Sequence, residues 1–225
     1  KALTHYAYHI KAGKEIFAAE GAFGQYLICF RDFPVAIGIT AGAREYLAAD
    51  ICLKYMKEAI SEPCNEEQLE AAEKALRAKL NSLSLVQPEG TFRTARKEAA
   101  KLFDRKILFT ENPRKVESVV FTKEGYRIKI EAVINGEQKT LYASYKAWKR
   151  NNLYPDDFTK KYQSVAYAMD AEALYLSVGL INTSYKEEYS LWVNSEDKVI
   201  ATWRPNVTYL PEEPDMVWKF TGTFE

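Results

Sequence analysis

The chain is poor in the residues that most often announce a chemistry: it has two histidines, three cysteines and three methionines in 225 residues. Cys29, Cys52 and Cys64 form no C-x-x-C pair, and so odd and sparse a set argues against a disulfide framework and favours a reducing compartment. Glycine and proline are also scarce, at 10 and 8, which excludes a fibrous repeat and low-complexity disorder. No stretch reaches the roughly 18 to 20 uncharged apolar residues of a membrane-spanning helix. The most apolar late segment, Ala166 to Ile181, is broken by Asp170 and Glu172. No signal-peptide hydrophobic region is visible, and a water-soluble, cytoplasmic protein is expected.

Net charge is missing as well, with 31 basic residues against 31 acidic ones, but the balance hides a segregation. Lys1 to Phe92 carries −2, Arg93 to Lys161 carries +8 and Tyr162 to Glu225 carries −6. A basic middle with an acidic end implies an anionic partner or two parts of the chain that attract each other.

What is present is apolar material, 47% of the chain, enough for one sizeable core or two small ones. The opening segment reads as a hairpin turning at Lys11-Ala12-Gly13-Lys14. Gln25 to Arg31 and Pro34 to Thr40 read as strands, being rich in β-branched and aromatic residues. From Ala43 the period changes. Leu47, Ala48, Ile51, Cys52, Tyr55, Met56 and Ile60 recur at helical spacing. Ser61-Glu62-Pro63 ends that helix, and Asn65 stands three places before Gln68 in a capping-box pattern. Leu69, Ala72, Leu76, Leu80 and Leu83 then form a second stripe, so an antiparallel helical hairpin is expected.

After Pro88-Glu89-Gly90, Thr94 is placed to cap a basic third helix with Ala95, Ala99, Leu102 and Phe103 inward. Past Asn112 the texture is β: VESVVFT, then GYRIKIEAVI, then an Asn135-Gly136 hairpin turn into QKTLYAS. Tyr145 to Asn152 reads as helix or loop, and Pro155-Asp156-Asp157 as the start of a helix through Tyr162, Val165, Ala166 and Met169. Strands return in YKEEYSLWVN, VIATWRP and DMVWKFTGTF. The expected class is α+β: N-terminal strands, a helical hairpin and third helix, then a mainly antiparallel β region with one or two inserted helices. A single domain, 1–225, is expected, with a soft boundary near Asn112 between 1–112 and 113–225.

Motifs for catalysis fall short. GITAGARE lacks the Lys and Ser/Thr of a phosphate loop and the third glycine of a dinucleotide fingerprint. What it leaves is a strand-to-helix turn at Gly42, with Arg44 nearby, as a candidate anion site. His5 and His9, four apart, are candidate metal ligands without the glutamate of H-E-x-x-H. Pro155-Asp156 and Glu196-Asp197-Lys198 spell a metal-nuclease signature but sit where capping and turn chemistry explain them. No catalytic residue and no cofactor is assigned.

The densest functional pattern is SYKAWKRNNLY. Tyr145, Lys146, Trp148, Lys149, Arg150, Tyr154, Lys160 and Lys161, with Arg96, Lys97 and Lys101 from the third helix, interleave cations with rings as a nucleic-acid strand requires. The expectation is a non-enzymatic binding or assembly protein engaging an anionic partner, a nucleic acid or a protein. The alternatives are a phosphate-directed, metal-dependent hydrolase, and a carbohydrate- or protein-binding module using Trp192, Trp203 and Trp218.

Overall fold

The computed structural model describes residues 5–7, 10–43, 48–61, 64–91, 95, 97–157, 161–207 and 217–225. The chain forms two compact units, Lys1–Val86 and Gln87–Glu225.

The first unit begins with an antiparallel meander of β1 (His5–Ala7), β2 (Ile10–Ala12), β3 (Ile16–Gly21), β4 (Gln25–Phe30) and β5 (Ala36–Ile39). Alternation along β3 and β4 puts Ile16, Ala18, Tyr26, Ile28 and Phe30 on one buried face. Helix α1 (Ala48–Ser61) covers that face with Cys52, Leu53 and Met56, while Ile51 and Tyr55 stay exposed. Helix α2 (Glu66–Ser82) starts at the expected capping box, the Gln68 amide donating to Asn65 Oδ1 at 2.8 Å and the Asn65 amide to Gln68 Oε1 at 3.0 Å. Every residue of α2 is nevertheless exposed, so its leucine stripe is not covered by α1 as a paired hairpin would require.

The second unit overturns the expected α+β class, because it is a closed β-barrel. Around the ring run β11 (Tyr162–Met169), β12 (Ala173–Leu180), β13 (Lys186–Val193), β14 (Val199–Pro205), β15 (Trp218–Phe224), β6 (Lys106–Phe109), β7 (Val116–Glu124), β8 (Arg127–Ile134) and β9 (Glu137–Tyr145). Each neighbour in that order is antiparallel. The ring closes where β9 meets β11 in parallel, Ala166 opposite Ser144 and Tyr167 opposite Tyr145.

The Asn135-Gly136 turn between β8 and β9 forms as expected, with φ of 51° and 76°, the positive pair that a two-residue hairpin of this type demands. The two inserted helices do not form. Residues 149–152 are a short strand, β10 (Lys149–Asn152), antiparallel to β11, and the run through Val165, Ala166 and Met169 is β11 itself. The third helix shrinks to a single turn, α3 (Lys97–Ala100).

Its expected inward residues pack on the barrel. Leu102 is fully buried, and Ala95 and Phe103 pack on the barrel core. The Ala99 amide donates to Ala171 O at 3.3 Å.

At the seam, Asn151 stands in for missing backbone pairing. The Tyr142 amide donates to Asn151 Oδ1 at 2.8 Å, and Asn151 Nδ2 donates to Tyr142 O at 3.0 Å and Lys149 O at 2.9 Å. A buried polar side chain is tolerated here because both ends of its amide are satisfied.

Candidate ligand-binding cavity

The barrel interior is not filled. The centre of a water-sized molecule can move through ≈ 130 Å³ of it, and all nine ring strands contribute to the lining. Strand period 2 sets the lining residues: Val119 and Phe121, Ile130, Ala132 and Ile134, Leu141, Val165, Leu176 and Val178, Leu191, Ala201, and Phe220 all point inward. At about 10 to 15 Å³ per water in this measure, the lumen has room for on the order of ten water-sized groups.

Against this apolar wall stands one polar cluster. Arg114 belongs to the turn between β6 and β7, which Asn112 ties down by donating to Thr110 O at 2.9 Å and Val116 O at 2.8 Å. The Asn112 Oδ1 also accepts from the Val116 amide at 3.1 Å. So held, Arg114 Nη2 lies 3.0 and 3.1 Å from the two Glu187 oxygens, and Nε donates to the Tyr189 hydroxyl at 3.2 Å. That hydroxyl donates in turn to Glu187 at 2.8 Å. The Arg114 guanidinium carbon also lies 5.2 Å from the Trp203 ring centre. Glu187's side chain is 10% exposed and Arg114's 34%, so the carboxylate is the inner member and the guanidinium the outer.

Electrostatics locks these states. Burial works against the Arg114 charge, but Tyr189 and Glu187 outweigh it and raise its pKa. Burial, reinforced by the adjacent Glu187, pushes the Tyr189 phenol far up despite Arg114, so it stays a neutral donor. Two further lining residues are polar. Tyr154 packs on the core with Lys139 4.5 Å from its ring centre, and Lys139 is itself paired with Glu137 at 2.5 Å. Gln163 is 6% exposed, and among the described residues its side-chain amide makes no hydrogen bond.

No family model and no curated protein sequence matches the chain. Solved structures similar to it include a REP1-NXSQ fatty acid transporter, at 12% identity over 56% of this chain and 97% of that one, TM-score 0.41. Apo lipid binding protein 8 of Caenorhabditis elegans is similar at 7% identity over 58% of this chain and 100% of that one, TM-score 0.44. The fatty-acid-binding protein of Manduca sexta covers 48% of this chain and 73% of its own length at 12% identity, TM-score 0.36. With TM-scores below 0.5, these likenesses leave the choice of ligand to the residues of the lumen itself.

The lumen displaces the nucleic-acid reading, and the residues behind that reading are divided between the barrel core and its surface. Tyr145 and Tyr154 turn inward onto the barrel core, Tyr145 with its ring centre 5.8 Å from that of Tyr167, so neither presents a face for a base. Two of the cations share the ring of Tyr162. Arg150 lies 3.9 Å from the Tyr162 ring centre, as Lys161 does at 5.4 Å, and Lys146 is exposed beside Tyr145. Trp148 and Lys149 are half-buried. Lys97 is exposed, and Lys101 pairs with Glu98 at 2.7 Å and Asp197 at 3.7 Å. Arg96 and Lys160 lie outside the described residues.

Three ion pairs, Lys101–Asp197, Lys106–Glu225 and Arg114–Glu187, join the basic middle to the acidic end.

The candidate residues of the hydrolase alternative lie partly outside the described structure. The Ala43 amide beside Gly42 donates to Phe23 O at 2.9 Å, so it is not open to an anion, and Arg44 lies outside the described residues. Of the histidine pair, His5 belongs to β1 and His9 lies outside the described residues, and no metal-holding cluster exists among those described.

The tryptophans form no exposed row. Trp203 and Trp218 pair across β14 and β15 with ring centres 4.3 Å apart, and Trp192 takes the opposite phase of β13 from Glu187, Tyr189 and Leu191.

Sequence reasoning missed Arg114, Gln163, Glu187 and Tyr189 altogether. One signal was available: in KEEYSLWV a glutamate and a tyrosine stand in phase with inward Leu191 and Val193, which places a charge on a buried face.

Proposed function

We propose that the barrel encloses a small, elongated and mainly apolar ligand with a single polar end at the Arg114–Glu187–Tyr189 cluster. The observation that carries this is the lumen itself, an unfilled space with apolar lining from all nine ring strands and its polar groups few and convergent. Water would find few partners along that wall, whereas each methylene transferred into it contributes about 0.8 kcal/mol. No described helix is long and apolar enough to cross a membrane.

Calorimetric titration with two ten-carbon amphiphiles, 1-decanol and decanoate, tests the proposal. At least one should bind one-to-one with a negative heat-capacity change. Ala132→Phe and Ala201→Phe, which put a ring into the space, should abolish binding while the far-ultraviolet spectrum keeps its β signature. Absence of binding by both amphiphiles, or equal binding in the filled variants, would overturn it.

A further inference from the structure

The polar end of the lumen offers dipoles of both signs and no uncompensated charge. We infer that the ligand this barrel takes has an uncharged polar end, such as an alcohol or an amide, and that a carboxylate is discriminated against. The inference rests on the cavity reading above and goes beyond it by specifying the ligand's headgroup.

The first support is charge counting at the cluster. Arg114, the only cationic residue lining the cavity among those described, has its charge taken up by Glu187 through contacts of 3.0 and 3.1 Å to both carboxylate oxygens. Lys139, near Tyr154, is likewise paired with Glu137. An incoming carboxylate would have to share Arg114 with an anion already in place, and like charges brought together in a poorly hydrated site repel strongly.

The second support is independent of the first. Gln163 is 94% buried by its 6% exposure, lines the same space, and leaves its side-chain amide unpartnered among the described residues. The amide is not sealed off within the protein but lines the lumen as a neutral donor and acceptor, and a hydroxyl or amide on the ligand matches it in both roles. Registers place it near the cluster: Gln163 lies two residues from Val165, Val165 is opposite Val178, and Val178 is opposite Glu187.

The test compares 1-decanol with decanoate at neutral pH on the intact chain. The alcohol should bind about tenfold or more tightly than the acid. Gln163→Leu should weaken 1-decanol about fivefold, the worth of one neutral hydrogen bond, and leave decane binding unchanged. Glu187→Gln, which frees Arg114, should invert the order in favour of decanoate. Should that variant fail to fold, the wild-type pair of ligands decides alone. Decanoate binding as tightly as 1-decanol to the wild type would overturn the inference while leaving the cavity reading standing, and failure of both ligands would overturn the two together.

Discussion

Replacing Asn151 by alanine should open the barrel seam at a definite energetic cost. The side chain makes four hydrogen bonds, of 2.8, 3.0 and 2.9 Å and a longer one of 3.4 Å to Gln163 O, and two of them complete the amide and carbonyl of Tyr142. Four such bonds at about 1 kcal/mol net each give about 4 kcal/mol at most. The half-buried Tyr142 backbone groups left behind can recover part of that from water, so Asn151→Ala should cost about 2–4 kcal/mol. For a chain of this size that lowers the melting temperature by roughly 2–4 °C per kcal/mol. All four tryptophans, Trp148, Trp192, Trp203 and Trp218, belong to the barrel unit, so fluorescence-monitored urea unfolding reads that unit alone. Asn152→Ala, at the exposed neighbouring position, is the control and should stay within about 0.5 kcal/mol. Equal effects of the two substitutions would refute the account of Asn151 as a surrogate for backbone pairing.

Gly222→Ala should destabilise the barrel by about 1–3 kcal/mol in the same urea assay, since a Cβ there would lie 2.8 Å from Ile107 Cγ2 and 2.9 Å from Phe109 Cδ1. Burial opposes the Asp170 charge, but the Tyr175 hydroxyl at 2.6 Å and the amides of Glu172 and Ala173 outweigh it, lowering its pKa. A depressed carboxylate stabilises the fold above its unfolded pKa and loses that contribution as pH falls through the folded value. Asp170→Asn should therefore flatten the acid side of the stability–pH curve below about pH 4. Burial and the same hydrogen bond push Tyr175 up to about 12, so its contribution is present below its ordinary pKa and fades as pH rises towards 12. Tyr175→Phe should remove that alkaline loss.

Where local chemistry decides an element, it was legible. The Asn65–Gln68 capping box and the Asn135-Gly136 turn each depend on residues two or three apart, and both form as read. The helix expected from Pro155 failed for a tertiary reason. Along β11, Val165, Ala166, Tyr167, Ala168 and Met169 are all fully buried, so the alternation that betrays a strand is erased. The outer face is covered by the chain at Gly90, where an added Cβ would meet Ala168 Cβ at 2.9 Å and Met169 O at 2.8 Å. The cavity cluster was invisible for another reason: Arg114 and Tyr189 are 75 positions apart and share no motif. Only closure of the ring makes them neighbours.

That closure carries an arithmetic consequence. Nine strands, each antiparallel to the next, cannot alternate consistently around a circle, so an odd ring must contain one mismatched join. Here the mismatch is β9 against β11, confined to two residue pairs. Beyond it, β10 lies between them and antiparallel to β11, opposite Tyr162 to Val165. At that level the circumference counts ten strands, an even number, and the conflict of direction disappears. The seam between β9 and β10 at that level is bridged by a side chain, Asn151, rather than by a backbone ladder. Parity therefore concentrates the barrel's one irregular join at β9–β11, and the four residues of β10 restore the alternation of direction beside it.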